Sequence, residues 1–121
     1  MTESKNDWIE KQLNVFPQAN KGVLSFIGNI IFYFNSLNTD IQIIFTSGYC
    51  YYFAKMLEAA FGGSLYINTK YGHIVWKDVN DFYYDAYGVF YDYKEHDMYS
   101  VEELGEKKLE KFKHKERGDE Q

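Results

Sequence analysis

The character of the sequence changes at Gly62-Gly63, and this change is the strongest constraint on the fold. Before the two glycines, apolar residues recur at helical spacing. After them, the chain consists of short runs rich in Tyr, Ile, Val, Phe and Trp, which are typical of strands. A glycine pair is also a common helix end. This order predicts an α+β domain in which N-terminal helices pack on a small antiparallel sheet, with a further helix at the C-terminus.

The elements follow from the same patterns. Apolar spacing predicts helices over 3–15, 20–37 and 48–61, with Thr46 to Gly48 supplying the cap of the third. Residues 41–45 form a short apolar run, which is either a strand or an extended lead-in. Strands are predicted over 64–68, 72–77, 82–87 and 89–93, and a capping box at Ser100 opens the last helix. We expect one domain over 1–105 and a charged helical or disordered tail over 106–121.

Composition limits the classes of function. The 121 residues are 45% hydrophobic, enough for one modest core. A formal net charge of −5 argues against a nucleic-acid partner, because phosphate binding normally needs a basic face. No apolar stretch is long enough for a membrane span, so no membrane partner is expected. The single cysteine excludes an internal disulfide and fits a cytoplasmic location. The oligomeric state is left open.

The single cysteine, Cys50, lies at the start of the third predicted helix. The unpaired N–H groups and the dipole of a helix N-terminus favour the thiolate, which is the nucleophilic form. Helical spacing places it on one face with Ala54, Leu57 and Phe61, so the thiol should point toward the protein. A cysteine in such a place is ordinarily a small core hydrophobe.

His73 and Asp85 lie in two predicted strands joined by a turn-like stretch. A hairpin centred on Val79 places His73 directly opposite Asp85, with side chains on the same face of the sheet. Asp85 would then accept a hydrogen bond from one ring nitrogen, while the other ring nitrogen faces Cys50. A two-residue turn would break this pairing.

Residues 46–88 carry a family resemblance. Gly48-Tyr49-Cys50-Tyr51-Tyr52, then Gly72-His73-Ile74, then Tyr84-Asp85-Ala86 give Cys, His and Asp in chain order. This order resembles the papain-like and transglutaminase-like cysteine hydrolases, as a small phage or bacterial member. That superfamily packs a cysteine-bearing helix on an antiparallel sheet. The resemblance implies that Cys50 is the nucleophile, His73 the general base and Asp85 the orienting acid.

An oxyanion site and a substrate surface are also expected. The backbone N–H of Cys50 is the first oxyanion donor, and Gln42, or the hydroxyl of Thr46 or Ser47, could supply a second. The glutamine of the family usually lies a few residues before the cysteine, whereas Gln42 lies eight before. The candidates for oxyanion or substrate binding are Gln42, Ser47, Tyr49 and Trp76.

The sequence leaves two functions open. The first is a cysteine hydrolase or transferase acting on an amide bond of a protein or peptide, as a peptidase, deamidase or acyl transferase. The second is a non-catalytic protein-binding module, or a phage-type inhibitor of a host protein, with a vestigial triad. No cofactor is expected. No metal is expected either, because His73 and His96 have no recognised ligand spacing and His114 looks incidental.

Overall fold

The computed structural model describes residues 3–69, 71–90 and 98–105. Within these ranges the chain forms an α+β fold of five helices and five strands. The helices are α1 (Lys5–Val15), α2 (Lys21–Ser36), α3 (Ile41–Ile44), α4 (Cys50–Phe61) and α5 (Val101–Leu104). The strands are β1 (Ser64–Asn68), β2 (His73–Lys77), β3 (Tyr83–Asp85), β4 (Gly88–Phe90) and β5 (Met98–Ser100).

The first two helices begin at side-chain caps. The Ser4 hydroxyl accepts a hydrogen bond from the N–H of Asp7 at 3.1 Å, and the Asn20 side chain accepts one from the N–H of Val23 at 3.1 Å. Each cap gives a partner to an N–H group that has none inside its helix. Both helices therefore lie close to their predicted ranges.

Residues 41–45 contain a short helix rather than a strand or an extended lead-in, so that expectation was wrong. The Asp40 carboxylate caps α3 by accepting from the N–H of Ile43 at 3.2 Å. The Phe45 N–H closes the turn on the carbonyl of Ile41 at 2.9 Å. A short apolar run fits a helix or a strand equally well, and here the Asp40 cap favours the helix.

Helix α4 begins at Cys50, two residues later than predicted. Its N-cap is Tyr49, which makes no side-chain capping bond. The Thr46 hydroxyl instead donates to the Gln42 carbonyl at 2.7 Å. The predicted capping role of residues 46–48 is therefore wrong, and the cysteine occupies the first helical position.

The five strands form one antiparallel sheet in the order β4-β3-β2-β1-β5. Strand β5, which the sequence did not predict, pairs with β1 at the edge of the sheet. Its last residue, Ser100, also caps α5: the Ser100 hydroxyl accepts from the N–H of Glu103, and the Glu103 carboxylate accepts from the N–H of Ser100. The predicted capping box is confirmed.

The helices cover one face of the sheet. Side chains alternate along β2, so Ile74 and Trp76 join the core cluster formed with the helices. Its fully buried members include Val23, Leu24, Ile27, Leu57 and Ile67. His73, Val75 and Lys77 occupy the alternate positions of β2 and share the opposite face.

The loop between β2 and β3 is built on Asp78. One carboxylate oxygen accepts from the N–H groups of Asn80 and Phe82, at 2.8 and 3.0 Å. The other accepts from the Tyr84 hydroxyl at 2.7 Å, and that hydroxyl accepts from the N–H of Asn20 at 2.8 Å. This buried network ties the hairpin to the start of α2.

Part of the predicted strand over 89–93, and the whole tail over 106–121, lie outside the described residues. Within the described ranges, every helix is too short or too polar to traverse a bilayer.

Candidate active site

His73 and Asp85 contact each other. The His73 Nε2 atom lies 3.0 Å from Oδ2 of Asp85, and their side chains are only 11% and 15% exposed. When the imidazole is protonated, low exposure to water strengthens its attraction to the carboxylate. The expected hydrogen bond between these two residues is present.

The register that produces this contact differs from the predicted one. Trp76 pairs with Tyr84, and Lys77 with Tyr83, so the hairpin is centred on Asn80 rather than Val79. Continuing this register puts Asp85 opposite Val75, two residues from His73. The prediction of direct opposition was wrong.

The two side chains still meet because they share a face of the sheet. The connecting loop has five residues, 78–82, instead of three, and both lengths are odd. An odd loop keeps His73 and Asp85 on the same face, and a diagonal pair remains within reach of long side chains. The extra length is stabilised by the Asp78 network, and Asp81 turns the chain in the left-handed region with a φ of 70°.

Asp85 is oriented by the turn that it begins. Its Oδ1 atom accepts from the N–H of Tyr87 at 2.8 Å, while Oδ2 contacts His73. This is the local side-chain to backbone bond that aspartate commonly makes in turns. The same carboxylate therefore fixes the turn and contacts the imidazole.

Cys50 is the first residue of α4 and is only 3% exposed. Its sulfur accepts a hydrogen bond from the N–H of Ile74 at 3.3 Å. Because that nitrogen lies about 2.4 Å from the Cα atom of His73 by standard geometry, the sulfur lies within about 6 Å of this Cα. The fold thus brings the thiol to the main chain of the predicted base.

Gln42 lies beside the acid. Its Nε2 atom donates to the carbonyl of Ala86 at 3.0 Å, one residue after Asp85. Its side chain also lines a cavity with residues of α1 and α2, among them Trp8 and Phe32. Gln42 therefore contacts the turn that follows Asp85. Its predicted oxyanion role stays a prediction.

Trp76 does not lie at the surface, and its predicted part in oxyanion or substrate binding stays a prediction. It is 2% exposed and belongs to the core cluster. Its indole N–H donates to the carbonyl of Gly62 at 2.6 Å, at the end of α4 opposite Cys50. In this structure Trp76 stabilises the end of the helix.

Ser47 and Tyr49 are exposed immediately before Cys50, as a substrate-binding role would require. That role stays a prediction. Three other tyrosines about half exposed lie within two residues of Cys50, His73 or Asp85: Tyr52, Tyr71 and Tyr87. Their closeness to the three residues along the chain was a usable signal that the sequence reasoning passed over.

Among the described residues, no group of three or more His, Cys, Asp and Glu side chains comes together. His96 and His114 lie outside the described residues.

The site thus combines a helix-terminal thiol, an imidazole and a carboxylate within an α+β domain. A model of the family described as phage YunG-like protein matches residues 26–117, which include all three side chains. The chain belongs to the phage YunG-like protein family. No curated protein and no solved structure matches it.

Proposed function

We propose that the protein is a cysteine hydrolase or transferase acting on an amide bond through Cys50, His73 and Asp85. One observation carries the proposal. Asp85 lies 3.0 Å from Nε2 of His73, while the Cys50 sulfur accepts from the N–H of the residue that follows His73. A nucleophile, a base and an orienting group are the elements of a catalytic triad. Here Asp85 contacts the imidazole, and the Cys50 sulfur lies near the main chain of His73.

The roles follow from which atoms are engaged. Because Nε2 of His73 is bonded to Asp85, the nitrogen that exchanges a proton with the thiol is Nδ1. Nδ1 is also the ring nitrogen nearer the main chain, where the Cys50 sulfur lies. Asp85 holds the tautomer and stabilises the imidazolium without taking the proton itself.

Two features of the site favour the anion of the thiol, against the effect of its burial in the core cluster. Cys50 is the first residue of α4, where the helix dipole is positive. The Ile74 N–H group donates to its sulfur, and a hydrogen bond to a charged acceptor is stronger than one to a neutral acceptor. Both effects lower the cost of forming the thiolate.

The reaction proceeds in two balanced steps. The thiolate attacks the carbonyl carbon, a C–S bond forms, and the carbonyl electrons move to oxygen. As the tetrahedral species collapses, the C–N bond breaks and the His73 imidazolium gives its proton to the leaving amine. Water or an amine then attacks the thioester and gives a proton to His73. The C–S bond breaks, the acid or new amide leaves, and the proton on His73 restores the thiol.

The substrate is proposed to be a protein or peptide in the cytoplasm. The oxyanion would be bound by the N–H of Cys50, with Gln42 or Ser47 as the candidate second donor. Tyr49 is 46% exposed next to the nucleophile and suits contact with a polypeptide, since tyrosine joins an apolar ring to a polar tip. Peptidase, deamidase and acyl transferase differ only in the leaving group and in what resolves the thioester.

A specific observation favours the second function, a protein-binding module or phage-type inhibitor with a vestigial triad. Cys50 is nearly buried, whereas Tyr49, Tyr52, Tyr71 and Tyr87, each within two residues of Cys50, His73 or Asp85 along the chain, are about half exposed. Tyrosine is enriched in protein interfaces and among the residues that dominate their affinity. A partner bound over this surface would need no chemistry from the thiol.

An activated acyl donor separates the two functions. We expect p-nitrophenyl acetate to give a burst of p-nitrophenolate, with the acetyl group found on Cys50 by mass spectrometry and then removed in further turnovers. Cys50→Ala should abolish the burst, and His73→Ala should slow it by about two orders of magnitude or more, the usual contribution of a general base. Acylation that is equally slow with and without His73 would favour the binding module.

A further inference from the structure

We infer that Gln12 and Gln42 are positioning residues that hold the β3–β4 turn so that Asp85 meets His73. The inference rests on the proposed function for the importance of that contact. It arises because two glutamines from different helices bond to the main chain within four residues of the acid. Residues 85–89 are called the acid turn below.

Gln42 secures the near side of the acid turn. It comes from α3, and its side-chain amide donates to the carbonyl of Ala86 at 3.0 Å. Ala86 itself is fully buried in the core cluster. The carbonyl that follows Asp85 is therefore held by a donor on a helix.

Gln12 secures the far side. It comes from α1, and its Oε1 atom accepts from the N–H of Val89 at 2.8 Å, while its Nε2 atom donates more weakly to the carbonyl of Tyr87 at 3.4 Å. One side-chain amide thus pairs with the edge strand much as a neighbouring strand would. Gly88 makes this possible, since a Cβ atom there would overlap the Gln12 amide and its φ is 115°.

The acid turn is held by pairing with β3 and by the Asp85–Tyr87 bond, and the two glutamines add the support that a further strand would give. Strands β3 and β4 have three residues each, and β4 is the edge of the sheet. A hydrogen bond is largely lost when the donor–acceptor distance grows from 3.0 Å by more than about 0.5 Å. Small displacements of the acid turn would therefore remove the Asp85–His73 contact.

The test follows the titration of the His73 imidazole by NMR. Gln12→Met and Gln42→Met keep the side-chain length but cannot form these bonds. We expect each to move the His73 midpoint down by at least about half of the shift that Asp85→Asn produces, because a displaced carboxylate stabilises the imidazolium less. Gln18→Met, at an exposed position in the α1–α2 loop, is the matched control and should titrate like the wild type.

A second measurement separates loss of a bond from loss of the fold. Glutamate accepts hydrogen bonds but its carboxylate cannot donate one. Gln12→Glu should keep the Val89 N–H protected from hydrogen exchange, whereas Gln12→Met should expose it. Gln42→Glu, which places a carboxylate against the Ala86 carbonyl, should displace the turn as Gln42→Met does and alter the amide resonance of Tyr87.

The outcomes are distinct. Methionine variants that titrate like the wild type while Asp85→Asn shifts His73 would overturn the inference. A titration midpoint of His73 that does not change in Asp85→Asn would overturn it as well. If the methionine variants shift His73 but Cys50 acylation does not depend on His73, the positioning role stands and the proposed cysteine chemistry fails.

Discussion

Two hydrogen bonds define the candidate site at the scale of single residues. The Ile74 N–H donates to the Cys50 sulfur, and His73 Nε2 bonds to Asp85. The hydrogen bond from Ile74 is stronger when Cys50 is a thiolate, and the bond to Asp85 is stronger when His73 is an imidazolium. Under the proposed function, these two contacts would favour the ion pair from which a cysteine nucleophile acts.

Replacing the acid by its amide tests this ion pair. Asp85→Asn keeps the shape of the side chain but removes the charge beside His73. We expect alkylation of Cys50 by iodoacetamide at pH 6 to slow by about tenfold or more, because a neighbouring carboxylate typically shifts a titration by one to three units. Cys50 is the only cysteine, so its mass-spectrometric labelling is unambiguous.

Asp81→Asn is the matched control for this change. Asp81 pairs with Lys77 at 3.0 Å on the exposed loop between β2 and β3. Asp81→Asn removes the same charge from the same hairpin but not from the contact with His73. It should therefore leave the alkylation rate of Cys50 unchanged. Equal slowing by both substitutions would mean that net charge, not the contact with His73, controls the thiol.

The candidate site was partly predictable from the sequence. Because side chains alternate along a strand, any β2–β3 loop with an odd number of residues places His73 and Asp85 on one face. The observed loop meets that condition. The number of loop residues could not be read from the sequence, because it depends on Asp78 accepting from Phe82 and Tyr84. The burial of Trp76 follows from strand alternation, which turns its indole to the core.

At the scale of elements, the β2–β3 hairpin is the part that sets the register of the site. The Tyr84 hydroxyl donates to Asp78 and accepts from the N–H of Asn20, and all of Tyr84 is buried. Burial, together with the Asp78 carboxylate, holds the pKa of Tyr84 well above its ordinary value, although the Asn20 N–H partly opposes this. The hairpin therefore depends on a tyrosine that stays protonated.

This raised pKa predicts a loss of stability at alkaline pH. The unfolded chain releases the tyrosine proton above about pH 10, while the folded protein keeps it, so the free energy of unfolding falls by about 1.4 kcal/mol per pH unit from this group. Below that pH the contribution is fully present. Urea unfolding of the wild type at pH 8 and pH 11 should show the fall.

Tyr84→Phe should reduce that dependence on pH. At pH 8 we expect it to lower the free energy of unfolding by about 1–3 kcal/mol, because Asp78 and the Asn20 N–H lose their buried partner. Between pH 8 and 11 the variant should lose less stability than the wild type. Tyr33→Phe, at a position 60% exposed, is the control and should follow the wild type at both pH values. Parallel pH curves for Tyr84→Phe and wild type would contradict the burial argument.

Helix α3 shows that a very short element cannot be predicted from the spacing of its apolar residues. Its four residues, Ile41–Ile44, are mostly β-branched and apolar, which favours a strand by composition. The Asp40 cap and the closing bond from Phe45 make it a helix instead. Longer elements such as α2 were predictable because their apolar face repeats over several turns.

At the scale of the whole molecule, helices cover one face of the sheet and His73 and Asp85 lie on the other. The sulfur reaches the His73 main chain because Ile74 directs its N–H to Cys50, the first residue of α4. The α+β class was predictable from the change of pattern at Gly62-Gly63. Strand β5 was not, since three residues pairing with a distant strand leave no local pattern.

The dependence of Cys50 alkylation on pH tests the proposed triad most directly. We predict that the wild-type rate rises with a midpoint well below pH 8.5, the ordinary thiol value, and that His73→Ala restores a single rise near about 8.5. A wild-type profile that rises only near or above pH 8.5, and that His73→Ala leaves unchanged, would contradict the assignment of Cys50 as a catalytic nucleophile.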